Sequence, residues 1–424
     1  MPQNFCEIMS RRGFVEWCSN PEELGQKMER EMVTGYVGFD PSADSLHVGN
    51  MVPIMGLAWL QRLGHRPIAL AGGGTGMIGD PSGKTKERQL LSIDHVMHNV
   101  DCIRAQLAKF LDFDCGANSA IAANNYDWLS KIGFIEFLRD TGKYFPVSFL
   151  TNRDYVRSRI EDPDKSITYT ELSYLLLQAE DFDHMYNELD CCLQMGGNDQ
   201  QVNIIGGMDL IRKRSGGSAY GITFSLLLSA SGEKFGKSEE GAVYLDPKRT
   251  SPYRFYQFWI NADDRDIESL HRIYSFASLE EIADTISSHT AHPERREAQK
   301  KLALDMTERV HGSDAARRVR EASSILFGEK DIRSASAEIL DTLAAEIPTG
   351  DISIPTPLTE GLVISGGVSS KGEAKRKIKE GGIYLNGEKQ SDETRQITSD
   401  DILPGGYVQV RVGKKDFRLL RCGG

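Results

Sequence analysis

Short apolar runs alternate with helical segments in the first half of the chain, and this alternation constrains the fold more than any other feature. The runs are followed by glycine or aspartate, as strands that enter turns are; they are Thr34–Phe39, Pro67–Ala71 and Cys191–Met195. Between them, Leu46–Leu63 and Ile93–Leu111 carry apolar residues at helical intervals. Strands that alternate with helices are typical of a parallel sheet, whose ligands bind at the carboxyl ends of the strands. The sequence therefore predicts an α/β domain over residues 1–250.

The pattern changes after about residue 250. Polar helices with apolar stripes follow, at Ile267–Leu270, Leu279–Ile286, Arg295–His311 and Asp314–Leu326. They predict a small helical domain over 251–347, and the three prolines and one glycine of 348–357 predict a linker. The last segment, 358–424, combines a charged helix with the alternating run Tyr407–Val412, which predicts a compact α+β domain. A chain of 424 residues has room for this number of domains.

Charge is distributed unevenly along the chain. The net charge of −11 argues against a protein that coats nucleic acid by charge alone, so no DNA partner is expected. Thr356–Gly424, however, holds 12 Lys and Arg against 9 Asp and Glu, whereas the remainder holds 38 against 52. A basic end on an acidic body predicts that RNA contact is confined to the C-terminal segment.

Composition also limits the compartment and the metal chemistry. The longest apolar stretch, Met51–Leu60, is too short to span a bilayer, and Met1–Trp17 has no secretory core, so we expect a cytoplasmic protein without membrane contact. The seven cysteines form no C-x-x-C pair. A zinc ribbon or a disulfide framework is therefore not predicted, nor is a protein-held metal.

Two glycine-rich matches near residue 80 point to nucleotide folds that the context does not support. Gly74-x-Gly76-x-x-Gly79 fits the dinucleotide fingerprint, but Asp80-Pro81 follows where a helix would have to begin. Gly79 to Thr85 is similar to a P-loop with one residue too few between its glycines. We therefore predict neither NAD binding nor a P-loop NTPase.

Two other motifs fit the chemistry of a transferring phosphate. His47 and Asn50 lie at the start of a predicted helix, where free backbone N–H groups and the helix dipole attract phosphate. Far downstream, Lys234 and Lys237 frame a glycine in a predicted loop. Each motif alone fits an ordinary helix cap or a solvated loop, but together they predict donors that meet the charge on a departing pyrophosphate.

These motifs carry a resemblance to a known family. HVGN at 47–50 and KFGKS at 234–238 resemble the HIGH and KMSKS signatures of class I aminoacyl-tRNA synthetases. The segments GFDPSADSLHVGN, GDPSGK, NNYDW, ELSYLLLQAEDF and SPYRFYQFWIN are similar to bacterial-type tyrosyl-tRNA synthetases, and the likeness runs over nearly the whole chain. The resemblance implies a Rossmann-like catalytic domain, a helical domain on the anticodon side, and a C-terminal RNA-binding domain of a type shared with a ribosomal protein.

The resemblance also implies the roles of individual residues. Tyrosine is expected to be held at its phenol by Tyr36 and Asp181 and at its ammonium group by Asp80, Tyr174 and Gln178. Adenosine ribose or the substrate carboxylate is expected to meet Gly38, Asp40, Gly197, Asp199 and Gln200. ATP phosphates are expected to face His47 and Asn50 and the mobile cations Lys84, Arg88, Lys234 and Lys237. Phosphates of tRNA(Tyr) are expected to meet Lys371, Lys375, Arg376, Lys377, Lys379, Lys414, Lys415 and Arg418.

The implied reaction joins L-tyrosine to tRNA(Tyr) through a tyrosyl-adenylate, with Mg²⁺ carried on ATP and a homodimer as the expected assembly. A carboxylate and a phenol that face the substrate hydroxyl would reject phenylalanine, because a ligand without that hydroxyl leaves both buried groups unpaired. The sequence departs from the family pattern at Asn50, where the second histidine is expected, and at Gln201, where tryptophan is common.

Three other functions remain to be weighed against this one. A tryptophanyl relative would share the fold and both ATP motifs, but Asp181 has no hydroxyl to bind on an indole. A synthetase-derived RNA-binding protein would not need intact His47 and Lys237. A nucleotidylyltransferase would not need the basic C-terminal domain.

Overall fold

The structure is a computed structural model that describes residues 2–81, 91–152, 154–162, 166–230, 232, 235–238, 241–413 and 416–423, with the backbone alone at 154, 155, 237 and 238. Its residues divide into two compact units. The first comprises Met1–Thr250 and Phe258–Leu302, and the second comprises Ser251–Gln257 and Ala303–Gly424. No helix in the described part is long and apolar enough to cross a membrane.

A six-stranded sheet forms the centre of the first unit. Its strands are β1 (Val15–Cys18), β2 (Thr34–Phe39), β3 (Arg66–Ala71), β4 (Ile121–Asn124), β5 (Cys191–Gly197) and β6 (Tyr220–Phe224). Their order is β1-β6-β5-β2-β3-β4, and every pairing is parallel except that of β1 with β6. The chain leaves β2 toward β3 on one side, whereas β5 lies on the other. This switch point opens a crevice at the carboxyl ends of β2 and β5, as predicted.

Helices cover the sheet. Those of the first part of the chain are α1 (Phe5–Arg11), α2 (Pro21–Arg30), α3 (Met51–Arg62), α4 (Ile93–Leu107), α5 (Tyr126–Leu129), α6 (Phe134–Asp140), α7 (Val147–Thr151), α8 (Asp154–Glu161), α9 (Tyr169–Leu189) and α10 (Gln201–Ser215). A short hairpin, β7 (Lys237–Ser238) and β8 (Gly241–Ala242), follows. Helix α3 is shorter than the predicted Leu46–Leu63, because a 3₁₀ turn at Val48–Asn50 precedes it.

Helix α9, which supplies much of the crevice wall, is fixed at its N-terminus by two devices. Thr168 and Glu171 form a capping box, in which each side chain binds the other residue's backbone N–H. The same Glu171 carboxylate accepts from the buried Arg159 guanidinium at 2.6 Å. Removal of either partner would leave a buried charge uncompensated, so this pair holds α9 in place.

The helices after residue 250 are shared between the two units. They are α11 (Pro252–Ile260), α12 (Ile267–Tyr274), α13 (Leu279–Ala291), α14 (Glu297–His311), α15 (Ser313–Leu326) and α16 (Ala337–Ala344). We expected one separate helical domain over 251–347, but Phe258–Leu302 belongs to the first unit. The buried Arg12 explains part of this difference. Its guanidinium donates to the carbonyls of Arg272, Ser275 and Ala277 at the end of α12, at 2.7–2.9 Å.

The second unit contains a five-stranded sheet in the order β12-β11-β14-β15-β9. Its C-terminal elements are β9 (Thr349–Ile352), β10 (Thr356–Pro357), α17 (Leu358–Ile364), α18 (Lys371–Lys379), β11 (Ile383–Leu385), β12 (Glu388–Gln390), β13 (Gln396–Ile397), β14 (Tyr407–Val412) and β15 (Asp416–Cys422). One face packs on α17 and α18 through Leu362, Ile378 and Val410. On the other face, Tyr407 and Leu419 share a buried cluster with Ile339 of α16.

The predicted linker at 348–357 is corrected by the structure. Residues 349–352 form β9, which pairs in parallel with β15, and β10 pairs with β13. The prolines at 348 and 355 lie outside β9, and Pro357 ends a strand at a sheet edge, where its missing N–H is tolerated. Proline therefore marks the ends of short strands here and does not mark an unstructured connection.

Candidate active site

A cavity of about 580 Å³ lies at the carboxyl ends of β2 and β5. Its wall includes all the residues predicted to bind tyrosine and all those predicted to bind ATP other than Arg88 and the lysines: Tyr36, Gly38, Asp40, His47, Asn50, Asp80, Tyr174, Gln178, Asp181, Gly197, Asp199 and Gln200. Residues from five separate segments therefore meet in one place.

The predicted phenol site is buried and polar. Asp181 on α9 is 2% exposed and Tyr36 on β2 is 1% exposed, and the Tyr36 ring packs edge-on against Phe182. Burial raises the pKa of Asp181 to about 7, against the effect of two hydrogen bonds that favour the carboxylate. Burial and the nearby Asp181 charge raise the pKa of Tyr36 well above 10, so its hydroxyl stays protonated. That hydroxyl is buried with no hydrogen-bond partner in the described part of the chain, so it can donate a hydrogen bond to a bound ligand.

Two residues that hold Asp181 were given no role by the sequence. Asn125 Nδ2 donates to Asp181 Oδ2, and Trp128 Nε1 donates to Oδ1, both at 2.8 Å. Asn125 also accepts from the Gly74 N–H at 2.7 Å, which ties the glycine-rich loop after β3 to α9. The NNYDW segment, which contains both residues, contributes to the family likeness but has no chemical motif of its own. This segment lies directly after β4, at the carboxyl edge of a parallel sheet, and that position indicates that its polar side chains can reach a ligand site.

A second group of amides lies along the same wall. Gln178 Nε2 donates to Gln200 Oε1 at 3.2 Å, and Gln200 Nε2 donates to Asp80 Oδ2 at 2.7 Å. Asn203, which the sequence did not single out, donates to both glutamine oxygens at 3.0 and 3.1 Å. The cluster orients the glutamines and Asp80 at the cavity wall. Gln201, the departure from the family pattern, begins α10 and is not among the residues that line the cavity.

The HVGN segment begins with a capped turn. Asn50 Oδ1 accepts from the His47 N–H at 3.1 Å, so the amide oxygen faces the backbone and the Nδ2 group is the end that can donate to a ligand. His47 and Asn50 lie at the first and last positions of a capping arrangement around the 3₁₀ turn, and both line the cavity.

Two glycines bring the HVGN and KFGKS motifs together. Gly236 has a φ of +105°, and a Cβ at this position would lie 2.6 Å from the Gly49 amide nitrogen. Only glycine fits both the backbone conformation and this approach. Phe235 packs against Phe258 and Trp259, with ring centroids 5.1 and 5.6 Å apart.

Lys84, Arg88, Lys234, Lys414 and Lys415 lie outside the described residues, and only the backbone of Lys237, in β7, is described. The predicted carboxylates of the cavity wall are Asp40, Asp80, Asp181 and Asp199.

The predicted tRNA residues of α18 lie on a charged surface, and four of them pair with acids. Lys371, Lys377 and Lys379 pair with Glu360, Glu373 and Glu393 at 2.8–3.2 Å, and Arg376 lies 3.9 Å from Glu380. Lys375 is exposed. Arg418 instead donates to the Ser365 carbonyl at 2.8 Å and pairs with Asp416, so it caps the end of α17.

The chain is similar to known proteins over nearly its whole length. Residues 28–328 match the family model of class I tRNA synthetases (W and Y), and residues 338–420 match the tyrosine–tRNA ligase SYY-like C-terminal domain. The chain is 48% identical to the tyrosine–tRNA ligase of Anaeromyxobacter dehalogenans over 99% of both chains, and 44% identical to that of Bacillus velezensis over 98% of this chain and 99% of the relative. A truncated mitochondrial tyrosyl-tRNA synthetase from Aspergillus nidulans superimposes with a TM-score of 0.69 at 28% identity, over 76% of this chain and 94% of that chain. The chain therefore belongs to the tyrosine–tRNA ligases, a family of class I aminoacyl-tRNA synthetases that join tyrosine to its tRNA.

Proposed function

We propose that this cavity binds L-tyrosine beside ATP, forms tyrosyl-adenylate, and then gives the tyrosyl group to tRNA(Tyr). In the first step a tyrosine carboxylate oxygen attacks the α-phosphorus and pyrophosphate leaves. In the second, a terminal ribose hydroxyl of the tRNA attacks the acyl carbon and AMP leaves. The observation that carries the proposal is the buried Tyr36 hydroxyl beside the Asp181 carboxylate.

A phenol would satisfy both of these groups. The Asp181 carboxylate accepts from the substrate hydroxyl, and the same hydroxyl accepts from Tyr36. Phenylalanine would leave the carboxylate and the Tyr36 hydroxyl unpaired, and tryptophan would direct a bulky N–H donor into a site shaped by Phe182. The proposed pocket is therefore selective for tyrosine.

The other end of the amino acid meets the amide cluster. Asp80, with Tyr174 and Gln178, supplies the charge and acceptors for the ammonium group, and Gln200 orients Asp80 through its 2.7 Å hydrogen bond. The substrate carboxylate then points toward the crevice of β2 and β5. Gly38, Asp40, Gly197 and Asp199 border this crevice, where we assign adenosine ribose.

Charge stabilisation at the phosphates is assigned to the two signature motifs. His47 and the Nδ2 group of Asn50 donate to phosphoryl oxygens, and Lys84, Arg88, Lys234 and Lys237 add positive charge as pyrophosphate departs. Mg²⁺ enters with ATP as part of that substrate. Lys237→Ala should lower the rate of adenylate formation much more than the affinity for tyrosine, and equal losses in both would contradict a role in the transition state.

The basic helix α18 is assigned to tRNA phosphates. Its ion pairs are on the surface and contribute little, so Lys371, Lys377 and Lys379 can exchange their carboxylate partners for phosphate at low cost. Such contacts add affinity without reading sequence. The reaction is assigned to the cytoplasm, where tRNA is used in translation.

An apolar surface supports a homodimer. Phe134, Ile135 and Val147, on α6 and α7, are 64, 74 and 68% exposed. The same two helices pack inward on a buried cluster that includes Leu175 and Leu176 of α9. A second copy of the chain is the occupant that we assign to this surface, because exposed apolar side chains on adjacent helices are costly in a monomer. Ile135→Glu should give a monomer in sedimentation, whereas Met32→Glu at another exposed apolar position should not; a dimeric Ile135→Glu variant would refute the assignment.

Amino-acid-dependent ATP–pyrophosphate exchange tests the main proposal. Exchange should be strong with tyrosine and weak with phenylalanine or tryptophan. Asp181→Ala should abolish this preference, while Asp183→Ala, a change of the same charge two residues away on α9, should retain it even if the fold is less stable. Exchange with tryptophan alone would reject the substrate assignment.

A further inference from the structure

One row of side chains crosses the five-stranded sheet of the second unit. Tyr384 on β11 pairs with Lys389 on β12 and with Arg411 on β14, and Arg411 pairs with Phe417 on β15. Directly paired residues of antiparallel strands project from the same face. The four residues Lys389, Tyr384, Arg411 and Phe417 therefore form one continuous row, which we call the stacking row.

The stacking row is held together by cation–π contacts. The Arg411 guanidinium carbon lies 3.9 Å from the Tyr384 ring centroid and 5.4 Å from that of Phe417. Two residues further along β14 and β15, Gln409 and Leu419 are 3% and 0% exposed. The same face is more open to solvent at the stacking row, where Tyr384, Arg411 and Phe417 are only half-buried and Lys389 is exposed.

Charge around the stacking row favours an anionic partner. The two nearest acids in sequence are already engaged, since Glu388 pairs with Arg333 at 2.6 Å and Asp416 pairs with Arg418 at 2.9 Å. Aromatic rings and arginine planes beside free cations are the surface on which proteins stack unpaired nucleobases. A core sheet would use apolar residues at these positions.

The stacking row also connects to the basic helix. α18 packs on the opposite face of this sheet, so the two surfaces can meet only around an edge. Lys389 lies on the edge strand β12, and its side chain runs over Gly381, which follows α18; a Cβ at Gly381 would lie 2.4 Å from Lys389 Cε. A single RNA strand with phosphates on α18 would therefore reach the row at this edge.

We propose that an unpaired nucleobase of the tRNA binds the stacking row by stacking on Tyr384 and Arg411, with Lys389 beside its phosphate. This inference rests on the proposed function, because it takes tRNA as the bound RNA. It adds a base-binding surface to the phosphate contacts of α18, on the other face of the sheet.

Direct tRNA binding over a series of salt concentrations tests the inference. Tyr384→Ala should weaken binding about 10-fold, since a stacked base is lost, and should leave the slope of affinity against salt unchanged. Tyr384→Phe should bind as the unaltered protein does. Lys375→Ala, a phosphate contact, should lower the slope by about one. Phe327→Ala, which removes a 66% exposed aromatic of the same unit, should change nothing.

Further measurements separate base stacking from a loss of packing and from a loss of phosphate contacts. Tyr384→Leu keeps apolar bulk but has no aromatic face. It should therefore lose tRNA affinity as Tyr384→Ala does, while its thermal unfolding is unchanged. Retained tRNA affinity in a folded Tyr384→Leu or Tyr384→Ala variant overturns the inference. A loss that lowers the salt slope as Lys375→Ala does also overturns it. Tyrosine-dependent pyrophosphate exchange should stay normal in the Tyr384 variants and in Phe327→Ala, and its absence from the unaltered protein would reject the proposed function instead.

Discussion

Trp128→Phe isolates one hydrogen bond at the carboxylate of Asp181, which we propose to bind the substrate phenol. The change removes the indole N–H that donates to Asp181 Oδ1 at 2.8 Å. It keeps an aromatic ring against His184, whose centroid lies 4.3 Å from that of Trp128 with the planes 18° apart. Packing is therefore largely conserved, and the variant reports on the donor.

The magnitude follows from the ionisation of Asp181. Burial raises the pKa of Asp181 to about 7 even with both donors present. A hydrogen bond to a charged group contributes about 1.5–3 kcal/mol, and about 1.4 kcal/mol corresponds to one pH unit. Loss of the Trp128 donor should therefore raise the pKa of Asp181 by about 1 to 2.

Only the ionised carboxylate is purely an acceptor for the substrate hydroxyl, so tyrosine affinity should fall as pH drops through the pKa of Asp181. In the unaltered protein the fall should be centred near pH 7. In Trp128→Phe it should be centred at a higher pH, which makes tyrosine binding about 10-fold weaker at pH 7.5, with the difference shrinking toward pH 9. Preference for tyrosine over phenylalanine should fall with it.

The assay is the KM for tyrosine in pyrophosphate exchange from pH 6 to 9, with Trp17→Phe on β1 as the control for loss of an indole elsewhere. A Trp128→Phe variant with an unshifted pH profile would refute the reasoning, as would a loss of affinity that is the same at every pH.

Two further changes test the contacts around the site. Gly236→Ala should slow adenylate formation at least 10-fold, because the new Cβ meets the Gly49 backbone. Gly232 has a similar φ of +83° and nothing within 4 Å of an added Cβ, so Gly232→Ala should cost only the backbone strain of about 1 kcal/mol. Equal effects of the two changes would mean that backbone strain alone matters. Arg12→Met should lower the free energy of unfolding by about 3 kcal/mol, because three carbonyls at the end of α12 lose their hydrogen-bond donors. Arg11 is exposed, so Arg11→Met should change the free energy of unfolding little. Matching denaturation curves for the two variants would exclude a stabilising role of Arg12.

Local pattern predicted the central sheet well. β2 begins and ends where the apolar run Thr34–Phe39 does, because a strand buried on both faces must be apolar throughout and stops at the first turn residue. His47 and Asn50, which the local sequence also singles out, line the cavity, whereas their roles and those of the lysines stay predictions. Asn125 and Asn203 were missed, because their roles arise only when β4, α9 and α10 meet.

Long-range pairing explains the remaining differences. β9 is a strand because it pairs with β15, about seventy residues later in the chain, and the residues of 348–357 alone do not predict that pairing. The helices of 251–347 are shared between the two units, and apolar stripes could not predict this, because they show that a helix is packed but not against which element.

The cluster that joins Ile339, Tyr407 and Leu419 has a consequence for protein engineering. A chimera that exchanged only residues beyond 357 would pack α16 of one parent against the sheet of the other, so the two sides of this core would not match. Such a hybrid should aggregate. Exchange of Ala303 onward, together with the short segment Ser251–Gln257, would keep both sides of that core from one parent and is the transfer that should yield a soluble enzyme.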